Sequence, residues 1–464
     1  MAQPSFKYVL SQRDKEVLIM SSFIFHKQST LSSTGEVKWK CSVNKCTALI
    51  YIIDREVVSR SNLEHNHVSN EQKVQRLCIT QSGKRKAIEN ISDAPRKLLR
   101  KVLQESNSDA IDTSDLLRIK RNMYNARRKL FPALPKNIQE IHDILKTFKV
   151  ETSKNENFLL LNDEHHNLII FACSSNLNCL TNSETVYLDG TFTYCTKFFK
   201  QLVTLHGFIN GHYIPLIFCL LSDKSPLSYE RVFKFLVDKC AEMNLIFSPK
   251  TVIVDLEKSI HNAVLNVWPE TKIECCRFHL TQAWYRKIQE LGLSVEYRDD
   301  TSEVGKWLHY IFGLVFIDPN EVGNVYVFTL AAIMPPQNKK LETFASYLVN
   351  TYIDEEASYP PTMWASASSS TSKTTNACES FHSHFNSSFS SIHPSLFIFI
   401  NALTDFQNEV YIKMQSYNKQ NKLSKNSHTK NKEKIIAQKI KDYTDKQIDT
   451  LSFLKSVCSY YYKK

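Results

Sequence analysis

Two aspartates follow short apolar segments that predict buried strands. Residues 185–188 are mostly β-branched or aromatic and lead to Asp189, and the mostly β-branched residues 250–254 lead in the same way to Asp255. Carboxylates brought close together repel each other unless a cation lies between them, and their hard oxygens suit Mg²⁺ or Mn²⁺. Two such ions can activate a water or a 3′-hydroxyl for phosphoryl transfer. An Asp-Gly pair after a strand is more often a plain turn, so the later residues decide between the two interpretations.

A third acid usually completes such a site, and Glu379 is the candidate. It lies in a segment, residues 375–385, whose pattern predicts a helix. The interval between Asp255 and Glu379 is too long for a simple loop. We therefore expect a helical insertion at about residues 295–370, with helices over 307–316, 325–334 and 341–352.

Two cysteines and two histidines nearer the N-terminus form a second candidate site. Cys41 and Cys46 are spaced as on a turn between strands, whereas His65 and His67 are separated by one residue. In an extended segment both imidazoles then point to the same side. This Cys2His2 set suits tetrahedral zinc, which would supply much of the folding free energy of so small a module. The alternative is two unrelated thiols and a polar His-Asn-His turn.

The composition is that of a moderately basic globular protein. Hydrophobic residues make up 42% of the 464, and the formal net charge is +11. This excess favours a polyanionic partner. No apolar run approaches the roughly 20 residues that span a bilayer, so we expect no membrane partner. The 12 cysteines are scattered and are expected to be thiols or metal ligands rather than disulfides.

Positive charge is concentrated between the two candidate sites. From Lys84 to Lys129 there are 13 Lys or Arg against 6 Asp or Glu. Apolar residues recur with helical spacing over 98–103 and 116–123, which predicts two basic amphipathic helices, the second ended by Pro132 and Pro135. Such helices could grip phosphates, or they could simply be solvated. Residues 84–86 could also belong to a nuclear-import signal.

The segments around the two aspartates follow a definite order. Strands are predicted at 185–188, 200–208, 213–221 and 250–254, with helices at 228–243 and 258–267. Residues 272–279 are predicted as a fifth strand that enters another helix. This βββαβαβα order resembles that of ribonuclease-H-like folds, in which strands one and four are neighbours. The resemblance implies an α/β core in which Asp189 and Asp255 face one site.

The first 70 residues resemble a FLYWCH-type zinc finger. The resemblance rests on the Trp-x-Cys pair that ends at Cys41, the Cys-x4-Cys spacing to Cys46, and the closing His-Asn-His at 65–67. It covers residues 5–70. It implies a β-rich module that binds nucleic acid or protein and holds zinc through Cys41, Cys46, His65 and His67.

Residues 115–400 resemble the transposases of Mutator-like elements (MULE). The matching motifs are Asp-Gly-Thr-Phe at 189–192, Asp-Leu-Glu at 255–257, Cys-Arg-Phe-His at 276–279, Trp364, and Thr-Asn-x-x-Glu-Ser-Phe-His at 375–382. The ordered set is specific, although each piece alone is weak. The resemblance implies a DDE triad of Asp189, Asp255 and Glu379 that cuts and joins DNA with divalent ions.

Three further residues of these motifs each have two interpretations. Cys276 and His279 would bind zinc, with His382 and His384 supplying the missing ligands, or they would support the core beside the site. Trp364 would stack on a DNA base, or it would pack inside the insertion.

The sequence thus predicts an α/β protein with four regions: a zinc finger at 1–70, a basic helical linker or DNA-binding region at 71–150, a ribonuclease-H-like core with its insertion at 151–400, and a Lys/Asn-rich tail at 401–464 that is mobile or loosely helical. We expect a nuclear DNA transposase, or a transposon-derived protein, that uses Mg²⁺ or Mn²⁺. The alternative is a domesticated, non-catalytic nuclear DNA-binding regulator. DNA is the expected partner, and the family implies a homo-oligomer.

Overall fold

The computed structural model describes residues 6–11, 14–32, 34–54, 56–58, 61–91, 93–106, 108–370, 375–389, 391–419 and 427–460. The chain divides into two compact units, one of residues 1–134 with 388–390, the other of residues 135–387 with 391–464. Within the described ranges, no helix combines the length and the hydropathy that crossing a bilayer requires.

The described part of the first unit begins with an antiparallel sheet of six strands that lie in chain order. These strands are β1 Phe6–Leu10, β2 Glu16–Met20, β3 Phe23–Thr30, β4 Val37–Cys41, β5 Leu49–Ile53 and β6 Glu56–Val57. Alternate side chains point to the same face of a strand, so Trp39 and Ile50, which pair across β4 and β5, are both buried. They pack into a small core that also contains Cys41 and Cys46. The core of the sheet therefore reaches the candidate zinc ligands.

Helices follow this sheet where the sequence predicted a linker with two helices. They are α1 Glu71–Glu89, α2 Pro95–Gln104 and α3 Thr113–Arg128. The sequence pattern does not reveal α1, because its apolar residues form no continuous stripe. It packs closely instead, since Gly83 has no Cβ and Met123 of α3 fills the space beside it. A shared apolar core makes α1, α2 and α3 a packed group rather than a linker.

The basic residues of these helices divide into paired and exposed charges. Arg127 is buried and donates to three backbone carbonyls at the end of α1 and just beyond it. Lys84 and Lys86 form ion pairs with acidic side chains at Asp14 and Glu105. Exposed cations lie on all three helices, at Lys73, Arg85, Arg96, Lys97, Arg100, Lys101, Arg118, Arg121 and Arg128, and of these Arg85 and Lys97 also pair with Glu89 and Asp93. These exposed side chains are available to a polyanionic partner.

The second unit contains a mixed sheet. In the part of the chain that is described, its strands are β7 Leu159–Asp163, β8 Leu168–Phe171, β9 Thr185–Thr191, β10 Gln201–Ile209, β11 His212–Leu221, β12 Thr251–Val254 and β13 Lys272–Cys275. They lie in the order β13-β12-β9-β10-β11-β8-β7. β12 is parallel to both β9 and β13, and the other neighbours are antiparallel. The five strands predicted from the sequence are β9 to β13. β9 continues through Asp189 and Gly190, so this pair is part of the strand and not a turn.

The helices of the second unit lie before, between and after these strands. They are α4 Ile138–Thr147, α5 Ser174–Thr181, α6 Pro226–Glu242, α7 Lys258–Val267, α8 Arg277–Glu290, α9 Ser294–Arg298, α10 Glu303–Ile311, α11 Val322–Val325, α12 Lys339–Leu348, α13 Asn376–Ser387, α14 Leu396–Asn418, α15 Ser427–Thr444 and α16 Thr450–Val457. Apolar residues of α6 and α7, such as Phe233 and Val264, pack with Leu188 and Val203 of the sheet into one core. This core holds β9 and β12 rigidly beside each other.

The insertion forms a second core. Helical segments occur at all three places predicted within it, and two of them include π-helical turns, Tyr326–Leu330 and Val349–Ile353. Trp284 of α8 packs there with Trp307 and Leu348, and all three side chains are buried. The long interval between Asp255 and Glu379 is therefore a folded body.

Described residues of 427–460 contribute to this second core, whereas the sequence predicted a mobile or loosely helical tail. Ile436 of α15 and Phe453, Leu454 and Val457 of α16 are buried against the insertion. Gly313 allows the close approach, because a Cβ there would lie 3.1 Å from the carbonyl oxygen of Leu454. The many lysines of this segment mask a helical apolar period, which is why composition alone suggested disorder.

Adjacent isoleucines of α15 provide a test of this packing. Ile436 is 2% exposed and Ile435 is 40% exposed. We expect Ile436→Ala to lower the free energy of unfolding by about 3 kcal/mol, because it leaves a cavity in the core. Ile435→Ala should cost less than about 1 kcal/mol. Denaturant unfolding of the full-length variants measures both values, and equal effects would show that α15 does not pack.

Candidate metal centres

The four candidate zinc ligands converge. Sγ of Cys41 lies 3.2 Å from Nε2 of His67, Sγ of Cys46 lies 3.4 Å from Nδ1 of His65, and these two ring nitrogens are 3.3 Å apart. One donor atom of each residue lies within 4.8 Å of all the others. Zinc bonds of about 2.3 Å to sulfur and 2.0–2.1 Å to nitrogen give tetrahedral edges of about 3.3 Å between nitrogens and 3.5 Å between nitrogen and sulfur. The set therefore fits one tetrahedral zinc ion.

Neighbouring groups orient these ligands. Nδ1 of His67 donates to the carbonyl of Val68 at 2.9 Å, which leaves Nε2 with a lone pair for a metal. The ring of His65 stacks on Phe23, with the centroids 3.5 Å apart and the planes 5° apart. Cys41 is the last residue of β4 and is fixed by the sheet. These contacts fix the orientations of His65, His67 and Cys41.

The parallel pairing of β9 and β12 brings the two candidate aspartates to the same edge of the second sheet. Tyr187 pairs with Ile253, and an aspartate lies two residues further along each strand. Cys378, which directly precedes Glu379 in α13, packs with both Tyr187 and Ile253. Cys378, the neighbour of Glu379, therefore packs on side chains that lie two residues before Asp189 and Asp255.

Asp255 lies where its charge is disfavoured. Burial is the main cause that raises the pKa of this carboxyl to about 6, and the charges of Glu257 and Asp189 act in the same direction, whereas those of His279 and Lys224 oppose them. Its Oδ1 is buried and has no hydrogen-bond partner within the part of the chain that the structure describes. A buried carboxylate oxygen beside other acids fits the role of a ligand for a hard cation.

His279 connects the third acid with the aspartates. Its Nε2 lies 3.3 Å from Oε1 of Glu379. Burial lowers the pKa of His279, but the hydrogen bond to Cys276 and the charges of Cys276, Asp189 and Asp255 outweigh burial and raise this pKa to about 9. The imidazole of His279 therefore supplies positive charge close to Asp189, Asp255 and Glu379.

Cys276 supports the start of α13. Its sulfur accepts the backbone N–H of Thr375 at 3.1 Å and the hydroxyl of the same residue at 3.2 Å. The zinc set that His382 and His384 were expected to complete is not brought together. His382 faces the first aspartate, and His384 packs against Phe406 with ring centroids 5.1 Å apart. Cys276 and His279 nevertheless each place a donor atom within 4.8 Å of one on Glu379, so the Cys-x2-His motif has the geometry to bind a metal with that acid as well as to support the site.

A chain of hydrogen bonds leads from Asp189 into the sheet. Nδ1 of His382 lies 2.9 Å from Oδ2 of Asp189, and it must carry the hydrogen because a carboxylate only accepts. Nε2 of His382 lies 3.0 Å from the hydroxyl of Thr204, which in turn lies 2.9 Å from Nε2 of His206. Burial, more than the nearby charges, holds the pKa of His206 well below its ordinary value. This buried chain fixes one oxygen of Asp189 and leaves the other for the site.

A second polar group flanks the carboxylates. Glu257, just before α7, accepts from the hydroxyl of Tyr229 at 2.8 Å and from Nζ of Lys224 at 3.2 Å. Lys224 also lies 3.9 Å from the ring centre of Phe192. No sequence motif contains Lys224, because its place beside the site depends on the path of the loop after β11.

Trp364 is not placed to stack on DNA, which corrects one of its two interpretations. It is 2% exposed, and its Nε1 donates to the carbonyls of Tyr352 and Tyr359 at 3.2 and 3.0 Å. Its ring also packs against Trp284, with centroids 5.5 Å apart. The inner face of the insertion satisfies this side chain completely.

Two parts of the chain are similar to known domains. Residues 8–67 match the FLYWCH zinc finger domain, and residues 185–283 match the MULE transposase domain. The first match contains all four candidate zinc ligands. The second contains Asp189, Asp255, Cys276 and His279 and ends before Glu379. No curated protein matches the chain.

The zinc site makes a direct prediction. We expect Cys46→Ser to abolish zinc binding and to expose residues 6–67 to protease, because metal ligation supplies much of the stability of so small a core. Cys78→Ser is the matched control, since Cys78 is a free thiol in α1 outside the cluster. Bound zinc is measured by atomic absorption and folding by limited proteolysis. A Cys46→Ser protein that keeps both its zinc and its resistance would contradict the assignment.

Proposed function

We propose that this chain, in which a FLYWCH zinc finger precedes a MULE transposase domain, is a DNA transposase or a transposon-derived protein that cleaves DNA and transfers strands. One observation carries the proposal. β9 and β12 pair in parallel, so that Asp189 and Asp255 end up side by side, and α13, which bears Glu379, packs on the same two strands. No other described acids combine this arrangement with a family match for the domain around them.

The order of the strands supports a ribonuclease-H-like core. Counted from β9, the strands lie in the order three, two, one, four, five. The first three are antiparallel, and the fourth is parallel to the first. This is the arrangement in which strands one and four are neighbours, as the resemblance implied.

Asp189, Asp255 and Glu379 would hold Mg²⁺ or Mn²⁺. Their oxygens are hard ligands, and the orphaned Oδ1 of Asp255 needs a cationic partner. When bound, such ions supply an activated water or 3′-hydroxyl and stabilise the leaving oxygen. In hydrolysis, a water oxygen forms a new bond to phosphorus, and the bond from phosphorus to a 3′ oxygen breaks. In strand transfer, the released 3′-hydroxyl takes the place of water.

Residues outside the acidic triad would orient one of its carboxylates and contact the DNA. His382 would keep the carboxylate of Asp189 in one orientation, and the exposed cations of α2 and α3 would contact phosphates. We place the protein in the nucleus because its proposed substrate is there. Lys84 and Lys86 are poorly suited to a nuclear-import signal, since their side chains form ion pairs with Asp14 and Glu105.

Substitution of one acid tests the proposed chemistry. We expect Asp189→Asn to reduce nicking of a supercoiled plasmid in Mg²⁺ or Mn²⁺ by more than about a hundredfold, because the site loses a charged ligand. Asp238→Asn, at an exposed carboxylate of α6, should leave the rate unchanged. DNA retention is measured in parallel by filter binding.

The alternative functions give different outcomes in this assay. A chain that retains DNA but does not nick it in either cation is a non-catalytic DNA-binding regulator. Nicking that persists in Asp189→Asn would come from another site or a contaminant, and the proposed triad would have to be abandoned.

The histidine beside Asp189 allows a test of positioning. We expect His382→Ala to raise the Mn²⁺ concentration needed for half-maximal nicking by about 10-fold to 100-fold, because the hydrogen bond to Oδ2 is lost. His382→Asn should restore part of the effect, since its amide can supply the donor of Nδ1. His384→Ala, two residues further on the same helix, is the control. An unchanged cation requirement in His382→Ala, with normal thermal unfolding, would exclude the positioning role.

A further inference from the structure

The loop between β9 and β10, residues 192–200, interleaves aromatic and basic side chains directly after Asp189. Its sequence is Phe-Thr-Tyr-Cys-Thr-Lys-Phe-Phe-Lys. Phe192 is 44% exposed, which is unusual for so large an apolar side chain beside a cluster of carboxylates. None of the functions assigned above uses these residues.

Buried contacts anchor this loop from inside. Cys195 is fully buried, with its sulfur 3.1 Å from the carbonyl oxygen of Phe192 and 3.2 Å from that of Phe199. The buried hydroxyl of Thr196 donates to the carbonyl of Pro394 at 3.0 Å. The loop therefore presents its outer side chains on a fixed backbone.

The backbone of the same loop is strained at one residue. Phe198 has a φ of +80°, a conformation that a bulky side chain rarely adopts. Such strain persists only where the surroundings enforce it, and it is concentrated at ligand-binding sites. Lys197 lies 5.1 Å from the ring centre of Phe198, so a positive charge accompanies this second ring as well.

Lys224 places Phe192 on the side of the carboxylates. Its Nζ lies 3.9 Å from the ring centre of Phe192 and 3.2 Å from the carboxylate of Glu257. Phe192 follows Asp189 by three residues, which is about 10 Å along extended chain. The ring is therefore within reach of a nucleotide that adjoins a phosphate held at the acids.

An exposed ring beside an ammonium group matches the two parts of a nucleotide. Lys224 covers one face of the ring, and the exposed remainder of the ring offers a flat apolar surface to a base. The ammonium group, which also pairs with Glu257, places a positive charge beside that surface. In duplex DNA the faces of each base are covered by its neighbours, so only an unpaired base has a free face. The chain's net charge of +11 is also of the sign that a nucleic acid requires.

We propose that Phe192 and Lys224 form a binding site for an unpaired DNA nucleotide next to the phosphate at the carboxylates. This inference rests on the proposed function, because it takes the DNA of that same site as its ligand. It adds that the strand is bound in a locally unpaired state. Stacking on Phe192 would hold the base while the carboxylates act on the adjoining phosphate.

Binding measurements without a catalytic cation test this site. Two DNAs of equal length are compared with the full-length zinc-loaded protein: a complete duplex, and the same duplex with a short gap that exposes a 2-aminopurine. We expect tighter binding of the gapped DNA, by about tenfold, and quenching of the 2-aminopurine. Phe192→Leu should remove both effects, whereas Phe192→Tyr should keep them.

A matched control separates this site from general loss of an exposed aromatic. Phe328, in the insertion, is 77% exposed, and Phe328→Leu should keep the preference for gapped DNA. The inference is overturned if the wild type has no preference, or if Phe192→Leu weakens both DNAs equally or neither. Because no cleavage is needed, a chain that shows the Phe192 effect but never nicks DNA keeps this site and loses the proposed enzymatic activity. A chain that nicks DNA but shows no Phe192 effect keeps the proposed enzymatic activity and loses this nucleotide site.

Discussion

The contact of Cys378 with Tyr187 and Ile253 is the constraint on which the acidic site depends. Each of these buried side chains lies one or two residues before a candidate acid, on α13, β9 and β12 respectively. Protein cores are packed at the density of organic crystals, so a shift of α13 on the two strands would open a void or cause a clash. Burial keeps the pKa of the Cys378 thiol well above its ordinary value, so this residue acts as a neutral packing group. Apolar packing thus sets where Glu379 lies relative to the two strands.

The electrostatics of the site follow from that packing. Carboxylates that converge in a buried place repel one another, and the surrounding side chains offset part of this cost. Asp189 accepts from His382, Glu379 lies beside His279, and Glu257 accepts from Lys224 and from Tyr229. Asp255 differs from them, because its buried Oδ1 has no hydrogen-bond partner among the residues described. The protein therefore offsets the charges of Asp189, Glu379 and Glu257 with its own side chains, and Asp255 is the acid of this group whose charge is least offset.

Local sequence patterns predicted the elements of this fold well and their long-range contacts poorly. Apolar runs marked β9 to β13, and the resemblance of their order to ribonuclease-H-like folds implied that Asp189 and Asp255 are neighbours. Spacing alone predicted the zinc ligands, since Cys41, Cys46, His65 and His67 are close in sequence as well as in space. The structure differs where a partner lies far along the chain. α1 depends on packing against α3, the helices near the C-terminus depend on the insertion, and Trp364 depends on Trp284. The local pattern of a segment does not show which distant segment it contacts.

The insertion explains how an acid so distant in sequence can still be held accurately. A long flexible segment would allow α13 many positions, but here both ends of the insertion are tied together. Before the insertion, at the first residue of α8, Arg277 is buried and donates to the carbonyls of Ser366 and Ser368 at 2.9 and 3.4 Å. One residue earlier, Cys276 accepts from Thr375, which lies just before α13. Entry and exit of the insertion are therefore joined by adjacent residues of a single turn. The turn that anchors the end of the insertion thus also anchors Thr375, directly before the helix that carries Glu379.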